Sequence, residues 1–147
     1  MTIGNALLVL SLVYWPFFEK RGGLVPVIVQ DARTKEVLML AYTDAAGLLE
    51  TLLNGLACFF STSRNERWLK GETSGNTQRV IQILIDCDGD ALIYLVEPQG
   101  EGAACHTGAR SCFFRSVVGC VDLENIKVGD KEKLLTMEVK VDSRLVR

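Results

Sequence analysis

Residues 79–96, RVIQILIDCDGDALIYLV, decide how the fold is read. On both sides of the acidic centre the residues are β-branched and aliphatic, the composition of strands. Strand is therefore expected to lead into or through Asp86, Cys87, Asp88, Gly89 and Asp90. In an extended chain, residues two apart share a face. The three carboxylates are then expected on one side, with Cys87 pointing to the other. Continued to residue 113, the stretch DCDGDALIYLVEPQGEGAACHTGARSCF also holds Cys105, Cys112 and the only histidine, His106. Neither a surface loop nor a packed core needs that mixture.

Adjacent carboxylates repel one another and call for a cation among them. Oxygen donors from few residues, with water completing the shell, suit magnesium. Thiolates suit zinc. Three of them, from Cys87, Cys105 and Cys112, would leave a fourth position for water, the catalytic rather than the structural arrangement. Two metals of different hardness are expected close together. The DxDxD spacing also begins a calcium-binding loop with Glu97 at its twelfth position, but Ala91 stands where that loop needs glycine and the flanks read as strands. Cys58 and Cys120 read as small buried apolar residues.

Working outward, residues 24–30 and 36–42 read as an antiparallel hairpin, with Pro26 marking an edge or a strand start. Thr43 or Asp44 caps a helix over residues 45–54 whose Leu48, Leu49, Leu52 and Leu53 form an apolar face, and Gly55 ends it. Residues 56–61, 78–85 and 91–96 read as strands. Between them, residues 62–78 form a polar loop whose Arg64, Arg67, Lys70, Thr73 and Ser74 could meet an anion, and whose Trp68 could stack on a planar ring.

The 147 residues predict a single domain, 1–147, with a motif-bearing core at 24–115 and a tail at 116–147 that carries no chemical constellation. A net charge of −2 without a basic run argues against nucleic acid as a partner. Five cysteines, an odd number, favour a reducing, cytoplasmic setting and metal or catalytic use over a disulfide framework. Residues 1–18 are uncharged but lack a basic n-region, and with Pro16 they are too short to span a bilayer. A buried element or a subunit interface is expected there, with no membrane role.

Read together, VPVIVQDARTKEVLMLAY, WLKGETSGNTQ, DCDGDAL and ACHTGARSCFFR resemble the phosphoribosyl-AMP cyclohydrolase family of histidine biosynthesis, in its single-function form. The likeness runs from about residue 24 to residue 115. It implies an α+β fold, with small mixed or antiparallel sheets, one or two flanking helices and an intertwined homodimer. It also implies hydrolysis of the N1–C6 bond in the adenine of a phosphorylated nucleotide, phosphoribosyl-AMP. The zinc ligands fall on Cys87, Cys105 and Cys112, one ion per subunit in a site shared between chains, and the magnesium ligands on Asp86, Asp88 and Asp90. His106 is the candidate catalytic base. Arg64, Trp68, Lys70, Glu72, Thr73 and Ser74 are the candidate substrate contacts. Asn76 follows KGETSG where many relatives carry histidine. Three rivals are a structural zinc module that only joins subunits, a thiol redox protein, for which a CxxC pair is missing, and a nucleoside deaminase, whose HxE and PCxxC signature is missing.

Overall fold

A computed structural model describes residues 15–117. Most of the uncharged N-terminal stretch, nearly all of the tail and Cys120 lie outside the described residues. The chain divides after Phe114 into two compact units, and every named element belongs to the first. The class is α+β: one helix and one six-stranded mixed sheet.

A 3-10 turn, Phe18–Arg21, leads into β1 (Val25–Asp31) and β2 (Val37–Thr43); α1 (Ala45–Asn54) follows, then β3 (Cys58–Ser61), β4 (Glu66–Leu69), β5 (Gln78–Ile85) and β6 (Leu92–Pro98). The sheet order is β4-β3-β2-β1-β6-β5. Neighbours are antiparallel except β1 and β6, which run parallel from Val27 beside Leu92 to Asp31 beside Val96. An isolated bridge between Leu56 and Arg79 ties the approach to β3 back to β5, so the sheet curls. Inside the curl Phe59 stacks on Tyr94 at 5.8 Å between ring centroids.

In β1 the pleat turns Val25, Val27 and Val29 into the core, all fully buried. Each such side chain contributes about 1.5–3 kcal/mol by leaving water. Pro26 marks a strand start rather than an edge. β1 lies in the middle of the sheet, and Pro26 precedes Val27, where pairing with β6 begins, so its missing N–H costs no ladder bond.

The expected boundaries of α1 hold. Asp44 accepts a hydrogen bond from Gly47 N at 2.8 Å, and Gly55 ends the helix in the left-handed region with φ 73°. Its buried side differs from the expected leucine face. Gly47, Leu48 and Thr51 are buried, whereas Leu49, Leu52 and Leu53 are exposed. Close approach explains this: a Cβ on Gly47 would stand 2.5 Å from Thr43 Oγ1. The Thr51 hydroxyl donates to Gly47 O at 2.9 Å and accepts from Cys58 N at 3.0 Å, fastening the helix to β3 through small residues.

The polar stretch 62–78 is not wholly loop. Glu66–Leu69 pairs with β3, Ser61 beside Glu66 and Phe59 beside Trp68, and extends the sheet by one strand. Four residues of mixed polarity carry too little periodicity to show it. Among the described residues no helix is long and apolar enough to cross a membrane.

Candidate metal centre

The acidic cluster is the turn between β5 and β6, not a continuation of either strand, since β5 stops at Ile85 and β6 begins at Leu92. Asp86 Oδ1 accepts from Asp90 N at 2.9 Å and Ala91 N at 3.2 Å, and Asp86 N donates to Ala91 O at 3.1 Å. The carboxylates converge because this turn wraps, not because the pleat alternates. Ligand oxygens of Asp86, Asp88 and Asp90 all lie within 4.8 Å of one another, a donor set suited to a small hard cation. Gly89 has φ +77°, and a Cβ there would stand 2.9 Å from the Phe17 ring. Glycine is required both for the backbone and for the ring above it.

The 3-10 turn straps this acidic loop. Phe17 N donates to Gly89 O at 2.8 Å. Lys20 Nζ lies 3.1 Å from Asp88 Oδ2 and 3.3 Å from Asp90 Oδ2, and Arg21 Nη2 lies 3.2 Å from Asp90 Oδ2. Burial works against ionising Asp90, but hydrogen bonds with Asp88, Arg21 and Lys20 outweigh it and hold its carboxyl below the usual range.

Cys105 and Cys112 belong to a second turn. Ala104 N donates to Arg110 O and Cys105 N to Ala109 O, each at 3.1 Å, so residues 104–110 close into a small loop. Cys112 N donates to Leu38 O at 2.7 Å and Ser111 Oγ to Val37 O at 2.8 Å, docking it on the start of β2. Arg110 completes the anchorage, with Nη2 2.7 Å from Asp31 Oδ2 and Nε 2.6 Å from Glu36 Oε2. Asp31 is buried. Desolvation opposes its charge, but hydrogen bonds from the Thr34 and Arg33 amides, with Arg110 beside it, hold its carboxyl below the usual range.

The two thiols are neighbours. Burial, then the charge of Cys105 and a hydrogen bond with it, push Cys112 up to about 11, while Lys70 pulls the other way. Thr107 Oγ1 donates to Cys105 Sγ at 3.1 Å. A cation between these sulfurs would relieve what raises Cys112, so the donors fit a soft metal. His106 sits exposed on the same loop.

Lys70 begins the KGETSG turn, which Gly75 N closes on Gly71 O at 2.8 Å, leaving Glu72, Thr73 and Ser74 exposed. Asn76 Oδ1 accepts from Glu101 N at 2.9 Å, clipping this turn to the segment that leads to Cys105. Trp68 packs its ring 5.2 Å from Phe59. Arg64 lies at the opposite end of β4 from Lys70 and pairs with Glu66 at 3.5 Å.

The register places the two turns at opposite ends of the sheet. β6 leaves the acidic turn at Leu92, beside Val27, and reaches Val96 beside Asp31, the residue that anchors Arg110. Four residues of strand span about 13 Å. Within one chain, Cys87 stays with the aspartates and apart from Cys105 and Cys112. Among the described residues, the aspartate triad is the group of three ligands that gathers. Sequence reasoning missed Lys20, Arg21, Asp31 and Arg110. In residues 19–23, EKRGG, only the two adjacent cations hint at an acidic partner.

A family profile described as phosphoribosyl-AMP cyclohydrolase matches residues 39–114. A phosphoribosyl-AMP cyclohydrolase of Cenarchaeum symbiosum is 60% identical over 101 residues, 69% of this chain and 92% of the relative. One of Archaeoglobus fulgidus is 58% identical over 103 residues, 70% of this chain and 92% of the relative. The histidine biosynthesis bifunctional protein HisIE of Thermus thermophilus is 59% identical over 102 residues, 69% of this chain and 46% of the relative.

Proposed function

Because the chain belongs to the phosphoribosyl-AMP cyclohydrolase family, a family of hydrolases, we propose that it opens the adenine ring of phosphoribosyl-AMP in histidine biosynthesis, at a zinc site built across a homodimer. In this reading Cys105 and Cys112 of one chain hold the ion together with Cys87 of the partner subunit. The observation that carries it is the separation of the two turns. Cys105 and Cys112 are already paired and anchored, whereas Cys87 is exposed at the other end of the sheet, available to a second chain.

Unused apolar surface supports a partner. Leu40, Ile28, Ile93 and Leu84 lie side by side across four strands. Leu40, Ile28 and Leu84 are 49%, 39% and 38% exposed, a contiguous stripe of the kind that marks an interface. Free thiols at Cys58, Cys87 and Cys112 accord with a reducing, cytoplasmic setting.

Zinc held by three thiolates supplies Lewis acidity that makes water a usable nucleophile near neutrality. The chain's own residues do the rest. The water oxygen joins C6 and the N1–C6 bond breaks. N1 takes a proton, and C6 with its exocyclic nitrogen becomes the carboxamide. His106, beside Cys105, moves that proton. Thr107 holds the Cys105 sulfur in place. The aspartates would hold magnesium, which would supply positive charge for a substrate phosphate, and Lys70, Glu72, Thr73 and Ser74 would line the approach, with Arg64 and Trp68 further along the same hairpin.

The test is to replace Cys105 or Cys112 with serine and follow zinc content together with the absorbance change of ring opening. Loss of both is expected. Full turnover without zinc ends the proposal.

A further inference from the structure

A cleft of about 490 Å³ lies against the acidic turn, lined by Trp15, Phe17, Ile85, Asp86, Cys87, Asp88 and Gly89. Its size suits a nucleotide-sized ligand, and its make-up, apolar walls with a few convergent polar groups, is that of a small-molecule site. Two aromatic rings stand open on one wall: Trp15 is 41% and Phe17 61% exposed. Their backbone is not loose. Phe17 N is bonded to Gly89 O, Pro16 is buried, and the Trp15 ring lies 5.9 Å from the buried Phe18 ring. Rigidly backed aromatic faces beside carboxylates suit a ligand that is a flat ring at one point and an anion at another.

We infer that Trp15 and Phe17 form the stacking wall for the purine ring of the substrate. This rests on the proposed function, in which Cys87 is a ligand of the reacting centre, and adds the residues that hold the base there. Cys87 itself lines the cleft, so a purine lying in it has its ring edge beside that thiolate. Asp86 and Asp88 line the same cleft, so a hard cation held there would put a phosphate beside the ring. Trp68, the aromatic that sequence suggested for stacking, is half-buried with its ring packed on Phe59. Trp15 and Phe17 precede the family match, which begins at residue 39.

Stacking of a base on an aromatic side chain is worth about 1–3 kcal/mol by alanine substitution, or roughly 5- to 150-fold in affinity. Trp15→Ala is expected to raise KM for phosphoribosyl-AMP roughly tenfold or more while kcat stays within about threefold. Trp15→Phe, which keeps a ring, should restore most of the loss. A second readout is independent of turnover rate. In a Trp68→Phe variant, emission comes from Trp15, and rapid mixing with phosphoribosyl-AMP should quench it before the absorbance of ring opening develops. Wild-type kinetics for Trp15→Ala, or emission unmoved by saturating substrate in an enzyme that turns over, overturns the inference. Absence of turnover in the unmodified enzyme would instead sink the proposed function.

Discussion

Gly71 and Gly75 bracket the KGETSG turn and share a conformation, φ +80° and +79°, yet a methyl group would meet different surroundings at each. At Gly75 an added Cβ has nothing within 4 Å, so Gly75→Ala carries only the left-handed penalty of about 1–2 kcal/mol. At Gly71 the same Cβ would stand 2.5 Å from the Asn76 carbonyl oxygen and closer still to the Asn76 carbonyl carbon and Thr77 N. That is about 1 Å inside ordinary contact, and the obstacle is backbone, which cannot swing aside. Overpacking adds about 1–3 kcal/mol. Moving that peptide also disturbs the Asn76–Glu101 clip and the entry to β5. For a chain of this size 1 kcal/mol shifts the melting temperature by about 4 °C. Gly75→Ala should therefore melt about 4–8 °C below the parent and Gly71→Ala about 8–20 °C below. Because Lys70, whose charge acts on Cys112, heads this turn, a displacement of about 1 Å should also cost Gly71→Ala on the order of a hundredfold in turnover, measured by ring-opening absorbance below the melting range. Equal melting and equal turnover for the two variants would refute the reasoning.

In alkali the fold should weaken. Burial pushes Cys58 up from 9.0 to about 11 and Tyr94 from 10.0 to about 12. Both groups are therefore held neutral in the folded state, so their stabilisation is complete below pH 9 and lost as pH rises through about 11 to 12. Denaturant midpoints across that range should fall, and Cys58→Ala should flatten the lower part of the fall; a flat profile in the parent would contradict it. His106→Ala should cut kcat about a hundredfold or more with metal content intact, and unchanged turnover would return His106 to a structural role. Cys87→Ser and Cys105→Ser should each be inactive alone. Mixed after unfolding and refolding, half the dimers are hybrids with one intact site of two, so about a quarter of parental activity should return; no recovery would place all three sulfurs in one chain.

Much of the fold was legible because its signals were local. The β1–β2 hairpin, the capped helix and the strands flanking DCDGD each follow from periodicity and from Asp44, Gly55 or Pro26 acting over a few residues. The site was legible as chemistry and less so as geometry. Aspartates two apart imply convergence whether the chain pleats or turns, so the expectation of gathered carboxylates survived the wrong backbone. What the sequence could not show was long-range: that Leu49, Leu52 and Leu53 face outward because Gly47 brings the helix in on its other side, that Lys20 and Arg21 land on Asp88 and Asp90, and that Arg110 reaches Asp31. No local pattern encodes a partner 79 residues away.

That last pairing bears on the order of assembly. Asp31 closes the first hairpin with one oxygen, which accepts from Arg33 N and Thr34 N, and leaves the other for Arg110 to grip. The loop bearing Cys105 and Cys112 emerges late in synthesis, yet its mooring is laid down near the beginning. Until the early hairpin has set, both sulfurs are unshielded from oxidants and stray metals. An error in the opening third of the chain would thus surface as damaged thiols near its other end.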